Sequence, residues 1–209
     1  MSEKLDTSHV PGVSRRGFLK GLGVGGVATG LLSGNVPPGE AAESGPKVSG
    51  PGEIPITLKI NGQSRKLSVE PRVTLLDALR NRLDLTGSKK VCDRGTCGAC
   101  TVIIDGQPAY SCSMLAVEAE GREITTIEGL GTPANMNPVQ KAFVKHDAQQ
   151  CGFCTPGFVV ACTSFLKTNP NPTLDDARAG LGGNLCRCGT YAGIMEAVLD
   201  AAKNMKGGA

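Results

Sequence analysis

Eight of the nine cysteines in this 209-residue sequence fall into two regular sets. In the first, four residues separate Cys92 from Cys97, two separate Cys97 from Cys100, and eleven precede Cys112. In the second, two residues separate Cys151 from Cys154 and one separates Cys186 from Cys188, with 31 residues between the pairs. Four thiols at such spacing are metal-ligand chemistry, and three readings compete: an iron–sulfur centre, a zinc site, or disulfides. Cys186 and Cys188 are too close to bond each other comfortably, though each can pair elsewhere.

The three leading thiols of the first set sit in CDRGTCGAC, a stretch too short and glycine-rich for helix or strand. Gly95 and Gly98 tolerate backbone angles that a side chain forbids, so successive amide N–H groups can face an enclosed anion. A cluster of iron and sulfide held by thiolates is such an anion, and the opening spacing is that of the plant-type [2Fe–2S] ferredoxins. The fourth cysteine arrives sooner than in those proteins. In the second set each pair adjoins a helix end, where the positive end of the helix dipole favours thiolate and bound anion alike. Zinc also takes four thiolates, and cysteines two apart are its commonest signature. Cys162 falls on the apolar stripe Phe158, Cys162, Phe165, Leu166 and reads as a core residue. His146 reads as a surface or core histidine, because the cysteines already fill the site. Gln150 either caps the backbone at a helix end or contacts a ligand.

These thiols need elements to hold them. Over residues 54–131, Ile56, Leu58 and Ile60 alternate, Asn61-Gly62 makes a turn, and a second alternating run passes through Leu67 and Val69; this is a hairpin. Thr74 then caps a helix with Asp77 three residues on, and Leu75, Leu76, Leu79 and Leu83 form its buried stripe. After the cysteine loop come a strand over 101–104, an Asp105-Gly106 turn and a late strand over 123–127. Hairpin, crossing helix and further strands suit a β-grasp ferredoxin-like sheet. Residues 132–209 read as helical. Val139, Ala142, Phe143 and His146 make one stripe, Phe158 to Leu166 another, and Thr173 caps a third helix with Asp176. Ile194, Ala197, Val198, Ala201, Ala202 and Met205 mark a fourth. The predicted fold class is therefore α+β: a β-grasp ferredoxin-like domain followed by an all-α four-helix-bundle domain, each carrying one cysteine set.

The net charge is +3, with no basic run outside the first twenty residues, so nothing argues for a nucleic-acid partner. Aromatic residues are 3% of the chain and Trp is absent, so the cores are built from small side chains, and bound clusters would add stability. Residues 1–42 read as a targeting segment. Ser14-Arg15-Arg16-Gly17-Phe18-Leu19-Lys20 resembles a twin-arginine signal, followed by a weakly apolar run over 21–32 that is too short to span a membrane. The competing reading is a disordered basic tail. Twin-arginine export carries folded proteins, which suits a chain whose cofactors are assembled before it leaves the cytoplasm; the expected destination is the periplasm. Residues 43–53 are a linker rich in Pro, Gly, Ser and Glu.

The strings CDRGTCGACTV, QCGFCTPGF and GNLCRCG resemble the small iron–sulfur subunits of the xanthine dehydrogenase and aldehyde oxidase family of molybdenum hydroxylases. The resemblance runs from about Ile54 to Met205, and both spacings match in order, including the early fourth thiol. Many members read Thr-Gly after the last cysteine, where this chain has Gly189-Thr190-Tyr191; that variant is most like the periplasmic aldehyde oxidoreductases and the N-heterocycle branch. The resemblance implies a [2Fe–2S] cluster in each domain, one in the β-grasp domain on Cys92, Cys97, Cys100 and Cys112, the other in the helical domain on Cys151, Cys154, Cys186 and Cys188. It places Gln150 against the molybdenum–pterin cytosine dinucleotide of a large partner subunit, which hydroxylates a C–H bond with oxygen from water. An FAD-binding medium subunit or a cytochrome c takes the electrons onward, and the twin-arginine machinery is the export partner.

The chain itself has no nucleophile–base pair, no phosphate-binding loop and only two histidines, so it reads as a non-catalytic electron-transfer subunit of an oxidoreductase. The expected enzyme is an aldehyde oxidoreductase. The alternatives are an isoquinoline- or nicotinate-type N-heterocycle dehydrogenase, a free-standing two-cluster electron carrier, and a zinc-stapled binding module.

Overall fold

The computed structural model describes residues 50–206. The targeting segment 1–42 and linker residues 43–49 lie outside the described residues. Strands β1 (Ile54–Ile60) and β2 (Gln63–Val69) form the first hairpin. Asn61 and Gly62 both take positive φ, 51° and 76°, as a two-residue turn matching the strand twist demands. Helix α1 (Leu75–Arg82) starts where the Thr74 side chain accepts the Asp77 N–H at 3.1 Å. Strands β3 (Thr101–Ile104) and β4 (Gln107–Tyr110) make a second tight hairpin, with Asp105 and Gly106 at φ 50° and 84°. β5 (Glu123–Thr125) runs parallel to β1 and antiparallel to β3, giving the sheet order β2-β1-β5-β3-β4. This is the expected β-grasp sheet with a helix across it.

Two details differ from the sequence reading. β4 shows no alternation of its own, and its strand character comes from pairing with β3, Thr101 opposite Tyr110. Pro108, which cannot donate to a ladder, is tolerated because β4 is an edge. β5 stops at Thr125 rather than 127, because the Thr126 N–H goes instead to Asn61 Oδ1 at 2.9 Å and the chain enters a 3₁₀ turn, Ile127–Gly129.

Between sheet and α1, Leu58, Leu75, Leu79, Val102, Ile104 and Ile124 are all but inaccessible. Burying each such side chain contributes ~1.5–3 kcal/mol. Four helices follow: α2 (Pro138–Lys145), α3 (Thr155–Thr168), α4 (Leu174–Gly180) and α5 (Tyr191–Lys206). Asn137 and Gln140 cap α2 reciprocally at 2.8 and 2.9 Å, with Pro138 at the first turn. Thr173 and Asp176 do the same for α4. Phe143, Phe158, Leu166, Ile194 and Val198 fill the helical core, joined by small residues that let the helices approach closely. Ile127 and Leu130 pack onto this core, so the connection after β5 is part of it. Among the described residues no helix is long and apolar enough to cross a membrane.

Cys162 lies in this core with no accessible surface, and burial pushes its thiol far above the usual range. Cys162→Ala is expected to lower unfolding stability by about 1 kcal/mol through the cavity it leaves, with iron content unchanged. Chemical denaturation beside metal analysis checks this; loss of iron would make Cys162 a ligand. His146 ends α2 and faces Asp200 and Glu196 of α5, at 3.1 and 3.4 Å.

Candidate metal centres

The loop from Ser88 to Cys100 connects α1 to β3 and carries three thiols; Cys112 follows β4 on a 3₁₀ turn. The chain folds back on itself here because Asp93, Gly95 and Gly98 all adopt left-handed φ, 56°, 69° and 69°. As a result backbone donors meet sulfur: Gly95 N–H reaches Cys112 Sγ at 3.3 Å and Thr96 N–H reaches Cys92 Sγ at 3.4 Å. Cys97, Cys100 and Cys112 are buried and Cys92 half-buried. Hydrogen bonds from the Thr96 hydroxyl and the Arg94 backbone hold the Cys92 thiol down to about 6, whereas burial pushes Cys100 up to about 12. Burial, and then the charges of all four thiols, raises the Tyr110 phenol above its ordinary value, so Tyr110 stands against the whole set.

The second set joins two helix starts. Cys154 is the residue before α3, and Cys186 and Cys188 precede α5 across the Gly189 turn, φ 81°. Cys186 is buried, Cys154 half-buried, and Cys151 and Cys188 are exposed. Burial, and then contact with Cys186, raises Cys154 to about 12. Burial also acts against Cys186, yet hydrogen bonds from Thr190, from Cys154 and from the backbone carry it down to about 7, so it is the readier thiolate of the two.

In both sets the thiols meet in twos: Cys92 with Cys97, Cys100 with Cys112, Cys154 with Cys186, Cys151 with Cys188. None of the cysteines is in a disulfide. Two pairs of thiols suit a centre with two irons, each taking two thiolates. Buried thiols that resist ionisation on their own need that positive charge beside them.

Residues 58–126 match the 2Fe-2S iron-sulfur cluster binding domain, and residues 126–199 match the [2Fe-2S] binding domain. The chain is 47% identical over 168 residues to the aldehyde oxidoreductase iron-sulfur-binding subunit PaoA of Escherichia coli, covering 73% of each chain. It is 48% identical over 148 residues to the nicotine 6-hydroxylase small subunit of Paenarthrobacter nicotinovorans, covering 71% of this chain and 89% of that one. Among solved structures, quinoline 2-oxidoreductase from Pseudomonas putida 86 superposes with a TM-score of 0.71 at 46% identity, over 75% of this chain and 98% of that one. The chain belongs to the iron–sulfur subunits of the molybdenum hydroxylases.

In this iron–sulfur subunit the two thiol loops are in direct contact. Leu185 N–H, one residue before Cys186, donates to the Cys97 carbonyl at 2.9 Å. Asn184, buried, gives its amide to the Gly98 carbonyl at 2.9 Å and to Thr101 Oγ1 at 3.3 Å. Tyr110 donates its hydroxyl to the Gly183 carbonyl at 2.9 Å. Gly157 of α3 lies so close to this loop that a Cβ there would meet the Gly98 carbonyl oxygen and stand 2.9 Å from Ala99 Cα. Asn184, Tyr110, Gly157 and Thr190 are the functional neighbours that sequence reasoning missed as such; Gly157 and Asn184 lie within the strings QCGFCTPGF and GNLCRCG and Thr190 within the Gly189-Thr190-Tyr191 variant, but spacing alone assigns none of them a role. Gln150 is exposed beside Cys151.

Proposed function

We propose that this subunit passes electrons singly from a molybdenum-bearing large subunit, through two [2Fe–2S] clusters, to an FAD-binding subunit or a cytochrome c, in an exported aldehyde oxidoreductase. Cys92, Cys97, Cys100 and Cys112 hold the first cluster and Cys151, Cys154, Cys186 and Cys188 the second. The observation that carries the reading is the meeting of each four-thiol set in twos. Bound there, a [2Fe–2S] cluster accepts and releases one electron, at a potential set by hydrogen bonds to sulfur and by exposure. The chain's own residues do the rest. The left-handed turns at Gly95 and Gly98 aim amides at the first set, the α3 and α5 starts present the second, and the Asn184–Gly98 contact holds the two loops together.

Cys151, Cys188, Phe153 and Leu185 are exposed around the second set, and Gln150 adjoins them, which suits cover by the large subunit with Gln150 against its pterin cytosine dinucleotide. PaoA, the aldehyde oxidoreductase subunit, supports aldehyde as substrate. The equal likeness to the nicotine 6-hydroxylase small subunit makes a nitrogen heterocycle the second reading. The deciding experiment is iron, acid-labile sulfide and zinc per chain on anaerobically purified protein, with EPR after dithionite reduction. About four irons and four sulfides with two rhombic signals are expected for two clusters. Zinc without sulfide, or both clusters with no co-purifying large subunit, would overturn the respective halves of the reading.

Export through the twin-arginine route to the periplasm rests on Ser14–Lys20. Replacing Arg15 and Arg16 by Lys is expected to strand the subunit in the cytoplasm with its iron intact, read by fractionation and metal analysis. Undiminished periplasmic protein would remove this signal from the account, provided the partner subunit's own leader is deleted in the same strain.

A further inference from the structure

Cys186 is the most deeply buried thiol of the second set, and a side-chain hydroxyl reaches its sulfur: Thr190 Oγ1 lies 3.1 Å from Cys186 Sγ. In the first set the Thr96 hydroxyl bonds the half-buried Cys92, backbone N–H groups reach Cys92 and Cys112, and the Ser113 hydroxyl stays 3.6 Å from Cys112. The buried sulfur with a close hydroxyl is that of Cys186. The backbone around Cys186 is otherwise spoken for. Its own N–H goes to the Tyr191 hydroxyl at 2.9 Å, Gly189 N–H returns to the Cys186 carbonyl at 3.3 Å, and the Thr190 carbonyl accepts Ile194 N–H at 3.0 Å. Thr190 is thus fixed at the start of α5, where a threonine hydroxyl ordinarily faces the helix's own amides; here it faces sulfur.

We propose that Thr190 is a positioning residue that sets the reduction potential of the helical-domain centre by donating its hydroxyl proton to Cys186 Sγ. The inference rests on the second thiol set holding a cluster. One-electron reduction adds a negative charge to the iron–sulfide–thiolate assembly, the electron coming from the large subunit's reduced molybdenum centre or, in the test, from dithionite. No bond breaks and no proton leaves Thr190. An O–H donor on a thiolate stabilises the added charge, so it raises the potential. At a buried sulfur the bond is stronger than in water, and a charged acceptor strengthens it further. The Gly-Thr order after Cys188 delivers this hydroxyl, because the Gly189 turn at φ 81° brings the next side chain back over Cys186.

The test is an EPR-monitored redox titration of the purified holoprotein with Thr190→Val, which keeps the branched shape without the hydroxyl, and Thr190→Ser, which keeps the hydroxyl. In T190V one midpoint is expected to fall by about 59 mV, a tenfold shift in a one-electron equilibrium, while the other stays in place. T190S should remain near the parent. Unchanged potentials in iron-replete T190V would overturn the inference, as would equal shifts in T190V and T190S, which would assign the effect to packing. Should T190V fail to retain iron, T190A carries the same two outcomes. Absence of iron from the unsubstituted protein would instead sink the cluster assignment itself.

Discussion

Cys97→Ser is expected to remove one cluster and leave the other. Iron and acid-labile sulfide should fall by half, and one of two reduced-state EPR signals should disappear. Serine is a hard, weakly acidic oxygen donor, a poor substitute for a thiolate on iron–sulfide. Cys97 belongs to the first set alone: its sulfur meets Cys92, and only its backbone carbonyl touches the second loop, through Leu185 N–H at 2.9 Å. A side-chain change leaves that carbonyl in place, so Cys151, Cys154, Cys186 and Cys188 should keep their centre. Disappearance of both signals together would mean that the docked loops assemble as a unit rather than as two independent sites.

Gly157→Ala should destabilise the subunit, although the residue is in a helix. Intrinsic propensity favours alanine there by ~0.5–1 kcal/mol. Against this, the new methyl group would be driven onto the Gly98 carbonyl oxygen and to 2.9 Å from Ala99 Cα. Neither is the movable end of a side chain. The Gly98 carbonyl is held by Thr101 N–H at 3.1 Å, the Thr101 hydroxyl at 2.6 Å and the Asn184 amide at 2.9 Å. Overpacking against such backbone costs ~1–3 kcal/mol, which exceeds the propensity gain. The expected result is a lower denaturation midpoint together with loosened binding of the first cluster, since the clash falls between Cys97 and Cys100. A variant as stable as the parent would show that α3 and the thiol loop are not held as closely as the structure has them.

The site is more legible in the sequence than the means of holding it. Both thiol sets, the caps at Thr74 and Thr173, the Asn61-Gly62 and Asp105-Gly106 turns and the crossing leucine stripe are visible because each depends on residues a few positions apart. Such interactions are decided by backbone geometry over one or two turns of chain, and residue type reports them directly. β4 carries no such mark, since its strand character comes from its partner.

Local spacing thus determined which thiols form each set, that the first lies in a left-handed loop and the second at helix starts, and the α+β order of the domains. Only the tertiary structure decided that Cys154 meets Cys186 and Cys151 meets Cys188, that Asn184 spans 86 residues to Gly98, and that the Thr190 hydroxyl faces sulfur. Those contacts exist because burying the alanine-rich helical core and the sheet against a shared glycine-lined seam brings distant backbone together. That closeness is a property of packing, which no single residue and no spacing along the chain encodes.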